Sequence, residues 1–262
     1  MTALMHVLYI DMGNSRTKWR VCRRDGRDES GAYRNEQSQS GYRQLLQKAA
    51  GVETIWLSSV AAGAASQALV DDLLRDTGVQ PFIVKVEREC LGLQLSYPVL
   101  GRLGVDRWLA MLAAWTDCRS ACCVLDLGTA INVEFVSGEG RQVGGLIAPG
   151  SYAMMQALYS GTALRQPETL VLPASWAPQN DTQSCVQHGL TALLHGLFYQ
   201  VEERCQRLDI SVLYLCGGDA SLLAEVATER ALRIVWRPHL VLDGLQALAN
   251  NGDRQTAMTS RE

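Results

Sequence analysis

An α/β protein built as two related halves is the fold class this sequence predicts, on three observations. Short apolar runs ending at glycine turns alternate with stretches of helical spacing. The 262 residues are 47% apolar and 19% charged, a globular composition with room for one large domain or two compact halves. A strand–turn–strand unit also recurs: Asp11, Gly13 and Asn14 match Asp126, Gly128 and Thr129, each at an offset of 126 − 11 = 115.

Taken in order, Val7-Leu8-Tyr9-Ile10 reads as a strand running into the turn Asp11-Met12-Gly13-Asn14. The alternating stretch Thr17 to Val21 returns from it, which makes a β-hairpin. Residues 40–50 are expected to be helical and Thr54 to Val60 a strand. Ala65 to Asp76 has helical spacing through Leu69, Val70, Leu73 and Leu74, with Gly78 as the stop and a further strand from Phe82. A second block opens at Gly104-Val105-Asp106-Arg107, before an apolar helix from Trp108 to Trp115. The repeat unit follows, as Cys122 to Ala130 and then the strand-like Ile131 to Val136. Gly144 to Gly150 reads as a turn-rich segment leading into a helix from Ser151 to Leu158. Asn180 or Asp181 is expected to cap a long amphipathic helix through Val186 to Arg207. A buried strand from Ser211 to Cys216 then ends at Gly217-Gly218, before a helix through Leu222, Leu223 and Val226. The polar tail beyond Asn250 is expected to fray.

With 24 Lys+Arg against 27 Asp+Glu the chain is weakly acidic, which argues against nucleic acid as its main partner. No apolar run approaches the roughly 18 residues of a membrane span, and no basic leader precedes the first strand, so a soluble protein is expected. The eight cysteines make no CxxC pair and read as buried free thiols of a reducing cytoplasm. The four histidines make no HExxH and no triad, and there is no Walker A loop or serine-hydrolase elbow.

Chemistry is concentrated at the two D-x-G turns. Each sets a carboxylate at a strand end beside a glycine that lets a ligand approach the backbone, whose N–H groups can converge on an anion. Lys18 adds a positive charge to the first turn, and a hydroxyl or amide follows each glycine. Two such turns can grip a polyphosphate, with the carboxylates orienting a hydrated cation. A lone D-x-G is common in ordinary turns; two copies, with Gly217-Gly218 at a third strand end, are not ordinary. Asp106-Arg107 taken alone reads as a helix cap and a surface charge. Beside a nucleotide clamp the same pair suits phosphoryl transfer, which needs a base for the acceptor hydroxyl and a cation for the spreading charge.

The ordered set Asp11 to Lys18, Gly104 to Arg107, Asp126 to Ala130, Gly144-Gly145…Pro149-Gly150 and Gly217-Gly218-Asp219 resembles type III pantothenate kinase. The resemblance runs from about Tyr9 to Leu248. It implies two ribonuclease H-like halves of the acetate/sugar kinase–Hsp70–actin superfamily, each a mixed sheet flanked by helices. The expected division is 1–103 with the first phosphate loop, 104–250 with the second loop and the substrate residues, and 251–262 as a flexible tail.

By position, the resemblance implies that Asp11, Met12, Gly13, Asn14, Ser15, Arg16, Thr17 and Lys18 bind ATP, with Thr129 contacting it from the second loop. Asp126 resembles the ligand of a monovalent cation, K+ or NH4+, and ATP is expected with Mg2+. Asp106 resembles the proton acceptor, and Tyr97, Gly104, Val105, Asp106, Arg107 and Thr182 the pantothenate site. A cytoplasmic homodimer with the substrate pocket at the subunit interface is implied. The chain departs from the family pattern at Asn132 and Glu134, where Thr and Asp are usual.

The expected reaction is ATP-dependent phosphorylation of pantothenate to 4′-phosphopantothenate, the first committed step of coenzyme A synthesis. Two alternatives use the same fold: a regulatory protein resembling the Bvg accessory factors, or a kinase for another small hydroxy acid or a sugar. A pure scaffold could lose Asp106, Arg107 and Thr182, and this sequence keeps all three.

Overall fold

The computed structural model describes residues 6–36, 38–60, 63–164, 171–223, 226 and 232–259, with side chains only to 251 in the last helix. Two packing units emerge, one of residues 1–116 with 240–262 and the other of residues 117–239.

In the first unit, β1 (Val7–Met12), β2 (Arg16–Cys22), β3 (Glu29–Arg34), β4 (Thr54–Ser59) and β5 (Phe82–Ile83) form one sheet in the order β3-β2-β1-β4-β5. β1 is antiparallel to β2 and parallel to β4. All six β1 residues are buried, as a central strand covered on both faces must be. Its even-numbered residues Leu8, Ile10 and Met12 enter a core with Trp19, Ile55 and Leu57. Helices α1 (Gln39–Lys48) and α2 (Ala64–Thr77) close that core through Leu45, Leu69, Val70 and Leu73. Each such side chain contributes about 1.5–3 kcal/mol of burial. Helix α2 ends at Gly78 in the left-handed conformation, φ +69°, the stop expected there. Alternation places Tyr9 and Asp11 on the opposite face. Arg20, on that face, ion-pairs with Asp243 of the C-terminal helix at 2.8 Å.

Short strands β6 (Glu89–Cys90) and β7 (Leu93–Gln94) form a hairpin with Leu91 and Gly92 both at positive φ. It leads to helix α3 (Val105–Cys118), buried along almost all of its length. The division expected at 103/104 falls at 116/117 by packing, because α3 up to Thr116 stays with the first unit. The reason for the difference is that the helix is apolar all round and needs partners on every side.

In the second unit, β8 (Cys122–Leu127), β9 (Ala130–Val136), β10 (Gln142–Pro149), β11 (Val212–Cys216) and β12 (Arg233–Trp236) lie in the order β10-β9-β8-β11-β12. The strand order and directions are those of the first sheet, so the repeat seen at two turns extends over a whole five-stranded unit. Both halves are mixed sheets flanked by helices, as expected. Helix α4 is Ser151–Ser160 and α5 is Thr182–Arg207. Leu194, Phe198, Val201 and Cys205 of α5 pack on Cys123, Leu125 and Leu127.

Several elements differ from the expectation. Gly144 to Pro149 is part of strand β10, carried past Gly144 by a bulge, where a turn was expected. The adjacent Gly145 lies so close to Val133 O and Glu134 that no Cβ fits there. β3 was not expected; its six residues include a glycine and alternate imperfectly. The C-terminal helix α6 (Leu240–Thr259) continues through most of the segment expected to fray. Part of the helix expected through Leu222, Leu223 and Val226 is a 3-10 turn, Ala220–Leu223, and 224–225 lie outside the described residues. Among the cysteines, Cys90, Cys122, Cys123, Cys205 and Cys216 are buried, but Cys185 is exposed.

Candidate functional site

The first turn is built by the pleat. Asp11 is paired with Lys18 across β1 and β2 and with Ser58 across β1 and β4. These three side chains therefore share one sheet face. Asp11 is buried, with the Ser58 hydroxyl donating to its Oδ1 at 3.4 Å. Gly13 N–H donates to Arg16 O at 3.0 Å, closing a tight loop between Met12 and Thr17. A Cβ on Gly13 would sit 3.0 Å from Arg16 O, so this closure favours glycine. Asn14, Ser15 and Arg16 are exposed on the loop, and Arg16 is the cross-strand partner of Arg34. A loop of exposed backbone rimmed by Arg16, Lys18 and Arg34 can receive an anion.

A second cluster in the same unit surrounds the start of α3. Trp108 N–H donates to Gly104 O at 3.1 Å, closing the first helical turn. Asp106 lies in that turn, where the helix dipole favours a carboxylate. Its Oδ1 accepts from Arg107 N–H at 2.8 Å, and it occupies the space a Gly104 Cβ would need. Gly104 thus fixes where the Asp106 carboxylate sits. Arg107 is buried and donates from Nη1 to the Tyr97 hydroxyl at 3.1 Å, with its guanidinium carbon 5.7 Å from the Tyr97 ring centre. Arg88 holds the Tyr97 segment from behind, donating to Tyr97 O at 2.6 Å and Leu95 O at 3.3 Å. Sequence reasoning missed Arg88, because nothing local marks an arginine that serves carbonyls seven and nine residues away.

The second turn sits in the other unit. Asp126 pairs with Asn132 across β8 and β9, and Gly128 N–H donates to Ala130 O at 3.1 Å. This loop is one residue shorter than the first, so beyond the glycine the repeat offset becomes 132 − 18 = 114. Asn132 accordingly occupies the place of Lys18. Gly217, at φ +95° after β11, lies against Leu127, and a Cβ there would come 2.6 Å from Asp126 Oδ1. Asp219 N–H donates to Leu127 O at 3.0 Å, and the Asp219 carboxylate accepts from Ser151 Oγ at the start of α4. Gly150 N–H donates to Thr129 O at 3.1 Å. Three turns therefore converge beside Asp126, two of them at glycines with no room for a side chain. Glu134, the other departure from the family pattern, is buried and accepts from Gln142 Nε2 at 3.0 Å. It is paired with Val124, two residues back from Asp126 along β8.

Thr182 is the first residue of α5, which Asp181 caps by accepting from Ser184 N–H at 2.9 Å. That hydrogen bond holds the Asp181 carboxyl below its ordinary pKa. Thr182 lines an open groove of about 650 Å³ with Asn180, Asp181, Cys185, Leu190 and Leu193. Asp11 to Lys18 and the Tyr97–Arg107 cluster belong to the first unit; Asp126, Thr129 and Thr182 belong to the second.

A family model described as type III pantothenate kinase matches residues 7–207. A type III pantothenate kinase from Marinobacter nauticus is 33% identical over 253 residues, covering 94% of this chain and 99% of that protein. The chain belongs to the type III pantothenate kinase family. Its fold is similar to a putative 2-dehydro-3-deoxygalactonokinase from Sinorhizobium meliloti, at 14% identity and TM-score 0.61, covering 94% of this chain and 96% of that one. It is also similar to a structure from Campylobacter jejuni described as a putative Baf family transcriptional activator, at 18% identity and TM-score 0.58, covering 94% and 99%. At these identities the two likenesses speak for the fold alone and assign no role.

Proposed function

We propose how the residues of this chain carry out the reaction of its family. The chain is a type III pantothenate kinase (EC 2.7.1.33), transferring the γ-phosphoryl group of ATP to pantothenate in the first step of coenzyme A synthesis. In this reading Asp11 to Lys18 bind the ATP phosphates, the loop backbone and Lys18 supplying positive character, and Thr129 makes a second ATP contact. Tyr97, Gly104, Val105, Arg107 and Thr182 bind pantothenate.

Asp106 is the base. Its carboxylate takes the proton of the primary hydroxyl as that oxygen bonds to the γ-phosphorus. The bond to the β,γ-bridging oxygen breaks and ADP leaves. Arg107 offsets the negative charge of the substrate or the transferring phosphoryl group. One observation carries this assignment: an Asp106 carboxylate at a helix N-terminus, fixed over Gly104, beside a buried arginine anchored to Tyr97.

The residues around Asp126 suit a monovalent cation better than a divalent one. Among the described residues no group of three or more Asp, Glu, His or Cys side chains gathers there, whereas divalent ions in all-protein cages collect several carboxylates. Asp126 would hold K+ or NH4+, whose charge favours nucleotide phosphates. Mg2+ is assigned to ATP itself. A cytoplasmic homodimer completes the reading, supported by apolar Leu158 and Leu193, exposed along the groove that Thr182 lines. No helix among the described residues is long and apolar enough to cross a membrane.

The test is a coupled assay of ADP release. Release is expected to require pantothenate, to rise on adding K+ or NH4+, and to fall on replacing pantothenate with a sugar or another hydroxy acid. Absence of turnover in folded protein across metals and salts would overturn the reading. Faster turnover of a different acceptor would reassign the substrate.

Tyr97→Phe keeps the ring over Arg107 but removes the hydroxyl that accepts from Nη1. Loss of one charge-assisted hydrogen bond is expected to raise the pantothenate KM roughly tenfold and leave the ATP KM within twofold. Initial rates with each substrate varied in turn separate the two.

A further inference from the structure

Asn35 follows the last residue of β3, and every polar group of its side chain is committed to the first turn. Nδ2 donates to Gly13 O at 2.8 Å and to Asn14 O at 3.1 Å. Oδ1 accepts from Thr17 Oγ1 at 2.8 Å, and the Asn35 backbone N–H donates to Ser15 O at 3.0 Å. Carbonyls of three consecutive loop residues thus point at one asparagine that lies 20 to 22 positions away in the chain.

The consequence follows from peptide geometry. A trans peptide is planar, with C=O and N–H on opposite edges. Drawing the Gly13 and Asn14 carbonyls toward Asn35 turns the N–H groups of Asn14 and Ser15 to the other side of the loop. A loop whose oxygens faced outward would repel a phosphate; one whose oxygens are held inward presents its N–H edge to it. Only a neutral side-chain amide offers two donors and an acceptor in one plane. Aspartate, its isostere, would set oxygen against oxygen at two of these contacts.

We propose that Asn35 is a positioning residue for ATP, holding the loop Gly13 to Thr17 with its carbonyls turned inward and its N–H groups turned to the phosphates. The proposal rests on the reading of Asp11 to Lys18 as the ATP phosphate loop, and the experiment separates the two. Four variants are compared with the parent chain: Asn35→Asp, Asn35→Ala, Asn35→Gln and Lys18→Met. Steady-state kinetics are measured with ATP and pantothenate varied separately, and thermal unfolding is followed for each.

Asn35→Asp and Asn35→Ala are expected to raise the ATP KM at least tenfold, on the order expected for two lost hydrogen bonds, with the pantothenate KM within twofold. Asn35→Gln keeps the amide on one more methylene and is expected to recover a large part of the ATP affinity. A higher ATP KM in Lys18→Met with none in the Asn35 variants would overturn this proposal alone. An unchanged ATP KM in both would overturn the phosphate-loop reading beneath it. If the Asp and Ala variants unfold, Asn35→Gln decides: equal rises in both KM values with a lowered melting temperature would mark Asn35 as a fold element only, and overturn the proposal.

Discussion

Replacing Asp106 by Asn is expected to lower kcat by about 10²–10⁴-fold, the usual share of general-base catalysis, while ATP affinity changes less than threefold. Asparagine has nearly the same shape and keeps a carbonyl oxygen for the Arg107 N–H now held at 2.8 Å. What it lacks is basicity, so the acceptor hydroxyl would have to part with its proton unaided as it attacks phosphorus. Asp106 lies in the first turn of α3, whose packing runs through Trp108, Leu109, Met111 and Leu112. The melting temperature should therefore hold within about 2 °C, since an isosteric change at a half-buried side chain that keeps its hydrogen bond is worth about 0.5 kcal/mol or less. A kcat within threefold of the parent would remove Asp106 from the proton transfer. A uniform loss of ATP and pantothenate binding would recast it as a structural residue.

Gly217→Ala is expected to be among the most destabilising single-methyl additions in the second unit. Its φ of +95° strains any L side chain, and the new Cβ would meet the Leu127 carbonyl group and Asp126 Oδ1. Backbone strain of about 1–3 kcal/mol and a similar cost for overpacking both apply. Neither obstacle can yield cheaply: Leu127 belongs to the central strand β8, whose residues are almost all buried. A loss of roughly 3–5 kcal/mol corresponds to about 6–20 °C in melting temperature. Turnover should fall with it even below the melting transition, because the displaced atom is the Asp126 carboxylate. Gly196→Ala is the matched control: that glycine lies within α5 with nothing near its would-be Cβ. It should stabilise by about 0.5–1 kcal/mol. Differential scanning calorimetry compares them. Equal melting temperatures for Gly217→Ala and the parent would show that the turn after β11 adjusts freely, and would remove the packing argument for the site around Asp126.

Much of the candidate site is legible in the chain itself. The D-x-G turns announce themselves because a strand end, a carboxylate and a glycine fall within four residues. The sheet pleat then carries Asp11 and Asp126 onto faces away from the cores of α1, α2 and α5. Recurrence at a fixed offset was readable too, though not its extent. A one-residue difference in loop length shifts the alignment after the glycine, hiding the equivalence of Lys18 and Asn132. The segment of strand β10 reads as turn because glycines count as breakers over a few residues. In the sheet, Gly145 is where Val133 and Glu134 crowd the backbone, a requirement imposed by the neighbouring strand.

What the sequence by itself determined, then, is the alternation of strands and helices, the two carboxylate turns, the acidic start of α3 and, through their order, the kinase family. Tertiary structure alone decided that Asn35 grips the first turn, that Arg88 supports Tyr97 and that Tyr97 receives Arg107. It also decided that Ser151 and Asp219 meet beside the second turn. The division has a physical cause. Periodicity and turn chemistry act over a few residues and leave their mark on the chain, whereas a hydrogen bond between side chain and distant backbone depends on where two strands end once the sheet has formed.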